Sequence, residues 1–200
     1  EENLKTIRVL MERASLYRLA LAPICIVVGI MGIAATGITW LMGWGGSTHF
    51  AGYWMGVAVV VGSTALILIR RQSVKADEEF MSMPARRIIR AMAPMMLAGL
   101  GLGILELFVL PAGRRDSMQL AGLWMIFYGG AIHAAGFFMR RGLKLMGWMY
   151  IFLGIFCLIV NRLLVKDDSM THSIMGGAFG LGNLLYGIYL KVTAEPLDAE

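Results

Sequence analysis

The chain has 200 residues; 58% are hydrophobic, 16% are charged, and 25 glycines come on top of the hydrophobic set. Soluble domains run near 45–50% apolar with glycine included and about 25% charged. The composition therefore excludes a disordered chain and a disulfide scaffold, and with a mean hydropathy of +0.70 it describes an all-α membrane protein.

The first 18 residues carry Leu4, Ile7, Met11 and Ala14 at helical spacing, with Arg8, Glu12 and Arg13 between them. This pattern predicts either an amphipathic helix lying in the interface or a solvated lead-in turn. A helix needs about 20 apolar residues to cross about 30 Å of hydrocarbon. Six stretches qualify: 19–44, 51–69, 91–111, 118–139, 145–161 and 170–190, followed by a tail over 191–200. Unbroken apolar runs of this length predict helices, because barrel strands would alternate. The segment from Phe80 to Arg90 is a second basic and apolar lead-in.

Lys and Arg set the orientation. Fourteen fall on the side of the N-terminus, the 70–90 loop, the loop after span four and the tail, against four (Arg114, Arg115, Arg162 and Lys166) on the other. Both termini are therefore expected in the cytoplasm of a bacterial inner membrane. The net charge of +5 is then explained by topology and anionic lipid, with no nucleic-acid partner. The first apolar run is too long for the core of a cleaved signal peptide.

Spans one–two and three–four read as copies of one hairpin. Trp54-Met55 with Arg70-Arg71 returns as Trp124-Met125 with Arg140-Arg141 at an offset of 70, and Ala20-Leu-Ala-Pro23 returns as Ala91-Met-Ala-Pro94 at an offset of 71. Each Pro is expected in the first turn of its span, where a missing N–H costs little. Met175, Gly180 and Asn183 fall on Met125, Gly130 and His133 at an offset of 50, which makes spans five–six a third copy. Such copies imply three helical hairpins in a parallel pseudo-repeat. Gly99 with Gly103, and Gly176 with Gly180, are expected helix-packing pairs. No strand precedes the Gly99–Gly103 run, so it is not a phosphate loop. Cys25 and Cys157 read as small hydrophobes.

Polar residues inside spans are functional candidates by default, and here they are Glu106, His133, Asn161, His172 and Asn183. Glu106 and His172 share the outer level with His49 of the first outer loop. Those three offer ligand types suited to zinc or another transition metal, and a carboxylate–imidazole pair suits proton-linked work. The plainer expectation ties Glu106 structurally to Arg114, Arg115 or a hydroxyl. His133 and Asn183 lie roughly 20–22 Å below the outer ends of their spans, where they can bond across the bundle with help from Tyr128 and Tyr186. His133 and His172 differ too much in depth to hold one haem iron within a chain. No catalytic motif is present.

Leu123-Trp-Met-Ile-Phe-Tyr-Gly129 with Gly136-Phe-Phe138, and His172-x-x-Met175-Gly176-x-x-Phe179-Gly180 with Tyr186-Gly187, resemble a group of uncharacterised bacterial inner-membrane proteins, as does Leu10-Met-Glu-Arg13. The resemblance implies a six-span membrane protein and no known activity. It also implies a second histidine where this chain has Asn183, a departure that weakens any paired-histidine site.

The expected function is non-catalytic: an accessory, interaction or regulatory subunit that meets lipid and a protein partner or second copy within the bilayer, without a cofactor. The alternatives are a small transporter or channel, dimeric, with Glu106 and His133 along a polar path, and a metal or haem protein using His49, His172 and Glu106.

Overall fold

Backbone groups removed from water must pair within their own segment, and every described element is helical. The computed structural model describes residues 2–75, 83–138, 141–163 and 170–193. Glu78, Glu79, Phe80, Met139, Arg140, Lys166, Asp167, Asp168 and the tail from 194 onward lie outside these.

The elements run in chain order as α1 (Glu2–Leu41), α2 (Ser47–Lys75), α3 (Met83–Ile104), a π turn (Leu105–Val109), a 3-10 turn (Ala112–Arg114), α4 (Ser117–Ala135), α5 (Arg141–Leu163), α6 (Thr171–Met175), a π segment (Gly176–Leu181) and α7 (Gly182–Val192). The backbone stays helical through Gly176 and Gly182, so the last three form one rod.

Among the described residues, five stretches are long and apolar enough to cross a membrane: Leu21–Leu41, His49–Lys75, Ala85–Val109, Gly142–Leu163 and Thr171–Val192. α4, expected as a sixth such stretch, falls outside this set. This helix has 19 residues and carries Ser117, Gln119, His133 and three glycines. Its buried positions run from Ser117 to Ala135. A helix enclosed by protein does not have to be apolar all round.

Three further boundaries differ from expectation. The lead-in over 1–18 is not a separate helix: α1 runs unbroken for 40 residues, about 60 Å at 1.5 Å per residue. Pro23 and Pro94 consequently sit inside continuous helices rather than in first turns. Span four does not run helically to 139. Its helix ends at Ala135, where Gly136 packs against Lys144 so closely that a Cβ would lie 2.6 Å from the Lys144 side chain.

The closest-packed helix pairs are α4 with α5 and α1 with the final rod, and α3 packs next on α4. Glycine makes both close approaches. A Cβ on Gly129 would lie 2.6 Å from the Gly147 carbonyl, and one on Gly154 would lie 2.5 Å from the Gly122 carbonyl. On the other seam, Gly32 abuts Gly180, and Gly187 abuts Ile26. Close backbone approach is what associates helices when lipid is as apolar as their side chains. α2 is the exception: only 6% of its apolar stretch is buried, against 28% for α1 and 39% for the final rod.

Candidate functional site

The final rod carries two polar groupings, one at each end of its glycine-rich π segment. π segments leave backbone carbonyls out of the regular ladder and recur at functional sites.

The first grouping surrounds His172, which is 1% exposed. Phe50 and Trp54, one turn apart on α2, turn toward the rod, and Tyr53 lies beside them. Their ring centroids lie 5.2, 6.3 and 6.1 Å from the imidazole, respectively. The Trp54 indole Nε1–H donates to His172 Nδ1 at 3.0 Å. That nitrogen is therefore unprotonated, and the ring is neutral with its proton on Nε2. Nε2 has no hydrogen-bond partner among the described residues. The Tyr53 hydroxyl donates to the Ala35 carbonyl at 2.5 Å, fixing α2 to α1. The Thr36 hydroxyl reaches the His172 carbonyl at 3.3 Å. Outside Tyr53 lies a shallow hollow lined by Trp44, His49, Gly52, Tyr53 and Leu107.

A second set of bonds closes the same end of the bundle. Glu106, in the π turn that ends α3, accepts from the Asp116 backbone N–H at 2.8 Å. Asp116 caps α4 by accepting from Gln119 N–H at 2.9 Å. Its two carboxylate oxygens also accept from the Asn161 amide at 3.1 and 3.0 Å. Arg115 donates to the carbonyls of Leu107 and Leu110, at 2.8 and 3.2 Å. These are carbonyls near the end of α3 that the helix leaves free. One chain of contacts thus ties α3, α4 and α5.

The second grouping surrounds Asn183, which is 3% exposed. Its amide nitrogen donates to the Phe179 carbonyl at 2.8 Å and to the Tyr150 hydroxyl at 3.2 Å. Tyr150 donates in turn to the Ala178 carbonyl at 2.7 Å, and Tyr128 donates to the Asn183 carbonyl oxygen at 3.4 Å. Both carbonyls belong to the π segment, so α5 and Asn183 supply the donors its distorted ladder lacks.

Two expected groupings are not assembled. Glu106, His172 and His49 do not converge as ligands, and no group of three His, Cys, Asp or Glu among the described residues is placed to hold a metal. Glu106 is directed to the Asp116 backbone and His172 to Trp54. His133 does not meet Asn183: its Nδ1 lies 3.4 Å from the Lys144 carbonyl, and its ring packs on Phe137 and Trp148. Equal depth on two spans says nothing about which face each residue takes. Asn183 does bond Tyr128 as expected, while Tyr150 takes the place expected for Tyr186. Among the expected packing glycines, Gly176 and Gly180 meet α1, whereas Gly99 and Gly103 meet the Trp124 side chain. Gly103 also faces Met55, and Trp124 donates to the Gly99 carbonyl at 2.8 Å.

Trp54, Phe50, Tyr150 and the capping role of Asp116 were missed from the sequence. Asp116 was findable: it precedes Ser117-Met-Gln119 at a helix start, a capping pattern. Comparison of the chain with known protein families, curated proteins and solved structures finds no match in any of the three.

Proposed function

We propose that this chain is a non-catalytic accessory or regulatory subunit of a bacterial inner membrane, crossing it six times with both termini in the cytoplasm. The reading rests on one observation: apart from His172 Nε2, the buried polar side chains described above are engaged with each other and with backbone. Tyr128, Tyr150 and Asn183 satisfy one another and the π segment. Glu106, Asp116 and Asn161 bind three helices together. Groups engaged in this way brace a bundle and leave function to its lipid-facing and basic surfaces. α4 is the sixth crossing in this reading, enclosed by α3 and α5. The asymmetry of Lys and Arg supports the orientation, and the paired Trp-Met and Arg-Arg motifs support the parallel repeat of hairpins.

The test is a flux assay in liposomes with the purified chain and its Glu106→Gln and His133→Ala variants. The reading expects the same background leak from all three. Flux above that of empty liposomes, lowered by either substitution, would make the protein a transporter and end the accessory reading.

A further inference from the structure

Among the residues whose burial is described, a little-covered part is the half of α2 that leads to its basic end. α2 touches the bundle near its start: Tyr53 on Ala35, Trp54 on His172, Gly52 near Leu107 and Met55 on Gly103. From Met55 to Lys75 no residue of the helix is buried. Val59, Val60, Leu66 and Ile67 are all more than half exposed, and a Cβ on Gly56 or Gly62 would meet nothing within 4 Å. Fifteen residues separate Met55 from Arg70, about 22 Å of helix. That is most of the hydrocarbon thickness.

This uncovered flank ends in a concentration of charge. Arg70, Arg71 and Lys75 close α2, and Arg86, Arg87 and Arg90 open α3; all six side chains are exposed. Seven residues join the two helices, which keeps Lys75 and Met83 within roughly 28 Å of each other. In sequence, the stretch from Arg70 to Arg90 holds six cations against three acids, Asp77, Glu78 and Glu79. The other described face of α3 toward this end is also uncovered, with no buried residue from Ala85 to Ala98.

An apolar flank of membrane length that ends in paired arginines matches one kind of molecule. We infer that the flank of α2, with the basic ends of α2 and α3, seats an anionic phospholipid, its acyl chains along Gly56–Ile67 and its phosphate among Arg70, Arg71, Arg87 and Arg90. Charge complementarity selects this occupant. A phosphate accepts bidentate bonds from guanidinium groups, and clustered cations beside a membrane helix attract anionic lipid. A second copy of the chain would bring six more cations to the same place. The inference rests on reading the chain as membrane-spanning and is independent of which protein partner it meets.

The test is native mass spectrometry of the full chain in a mild detergent, titrated with phosphatidylglycerol or with phosphatidylcholine of the same acyl chains. The wild type should retain phosphatidylglycerol severalfold over phosphatidylcholine. The Arg70→Gln/Arg71→Gln/Arg87→Gln/Arg90→Gln variant should lose that preference, at about fivefold for each cation that contacts the headgroup. Arg70→Gln/Arg71→Gln, with fewer exposed positions changed, should lose part of it. Arg162→Gln, at the opposite end of the molecule, should keep it. Circular dichroism and monodisperse elution establish that each variant is folded. Equal retention of the two lipids by the wild type would overturn the inference, as would an equal loss in Arg162→Gln. Finding a second copy or another protein on α2 in place of lipid would overturn it too. Release of the chain from membranes by alkaline carbonate would instead overturn the membrane-spanning reading itself.

Discussion

Trp54 and His172, 118 residues apart in sequence, meet through an indole N–H that donates to imidazole Nδ1 at 3.0 Å. The bond joins α2 to the final rod. It also fixes the imidazole tautomer, because a protonated Nδ1 would set two donors against each other. In Trp54→Phe the buried Nδ1 loses its donor, which should cost about 1–3 kcal/mol. Adding His172→Leu removes the stranded acceptor, so the double variant should be more stable than the sum of the single losses predicts. Thermal unfolding in detergent, followed by fluorescence, measures the cycle; additive losses would show that the two side chains do not act as a pair.

The glycine seam between α4 and α5 leads to a contrast within one residue type. Gly129→Ala and Gly154→Ala place a methyl against a carbonyl of the facing helix, and forced overpacking of this kind costs about 1–3 kcal/mol. Gly62→Ala meets nothing and should leave stability unchanged or raise it by up to about 1 kcal/mol through helix propensity. Melting temperatures of the three variants, purified identically, are the measurement.

Bonds to the π segment should rank by geometry. Tyr150 donates at 2.7 Å to a carbonyl in its distorted ladder, whereas Tyr128 donates at 3.4 Å to an amide that keeps other partners. Interhelical hydrogen bonds in membranes are worth about 0.6 kcal/mol on average and up to about 1.7. Tyr150→Phe should therefore fall near the upper value and Tyr128→Phe near the lower. The reverse order in thermal unfolding would contradict the assignment.

Much of the architecture was legible because it follows from the solvent. Apolar runs of membrane length and clustered arginines are one-dimensional signals, and most helix ends follow them, whereas α1 and α3 begin well ahead of the runs that start at 19 and 91. Which face a residue takes is not one-dimensional. His133 and Asn183 share a depth but look toward different neighbours, and Glu106 and His172 share a level while bonding elsewhere. The packing glycines of α4 and α5 escaped notice because Gly122 and Gly129, like Gly147 and Gly154, recur at seven residues rather than four. α4 has the pattern of a plain span because the sequence does not reveal that protein covers it.

The latch at Glu106 separates charge from hydrogen bonding. The Asp116 N–H needs an acceptor, and the side-chain oxygen of a glutamine supplies one, so Glu106→Gln should be nearly neutral. Glu106→Ala removes the acceptor and should cost about 1–2 kcal/mol. Asp116→Ala removes both the α4 cap and the Asn161 bonds, and the cap alone is worth about 1 kcal/mol. Chemical denaturation midpoints of the three variants check the order; a loss in Glu106→Gln equal to that in Glu106→Ala would show that the charge itself matters.

In the proposed function the chain acts through a partner rather than through chemistry of its own. Native mass spectrometry of the protein extracted from its own membranes in a mild detergent tests this most directly. The prediction is a stoichiometric complex with a protein of different mass. A bare monomer or homodimer carrying a metal, or a small molecule other than phospholipid, would contradict it and assign the function to transport or cofactor binding.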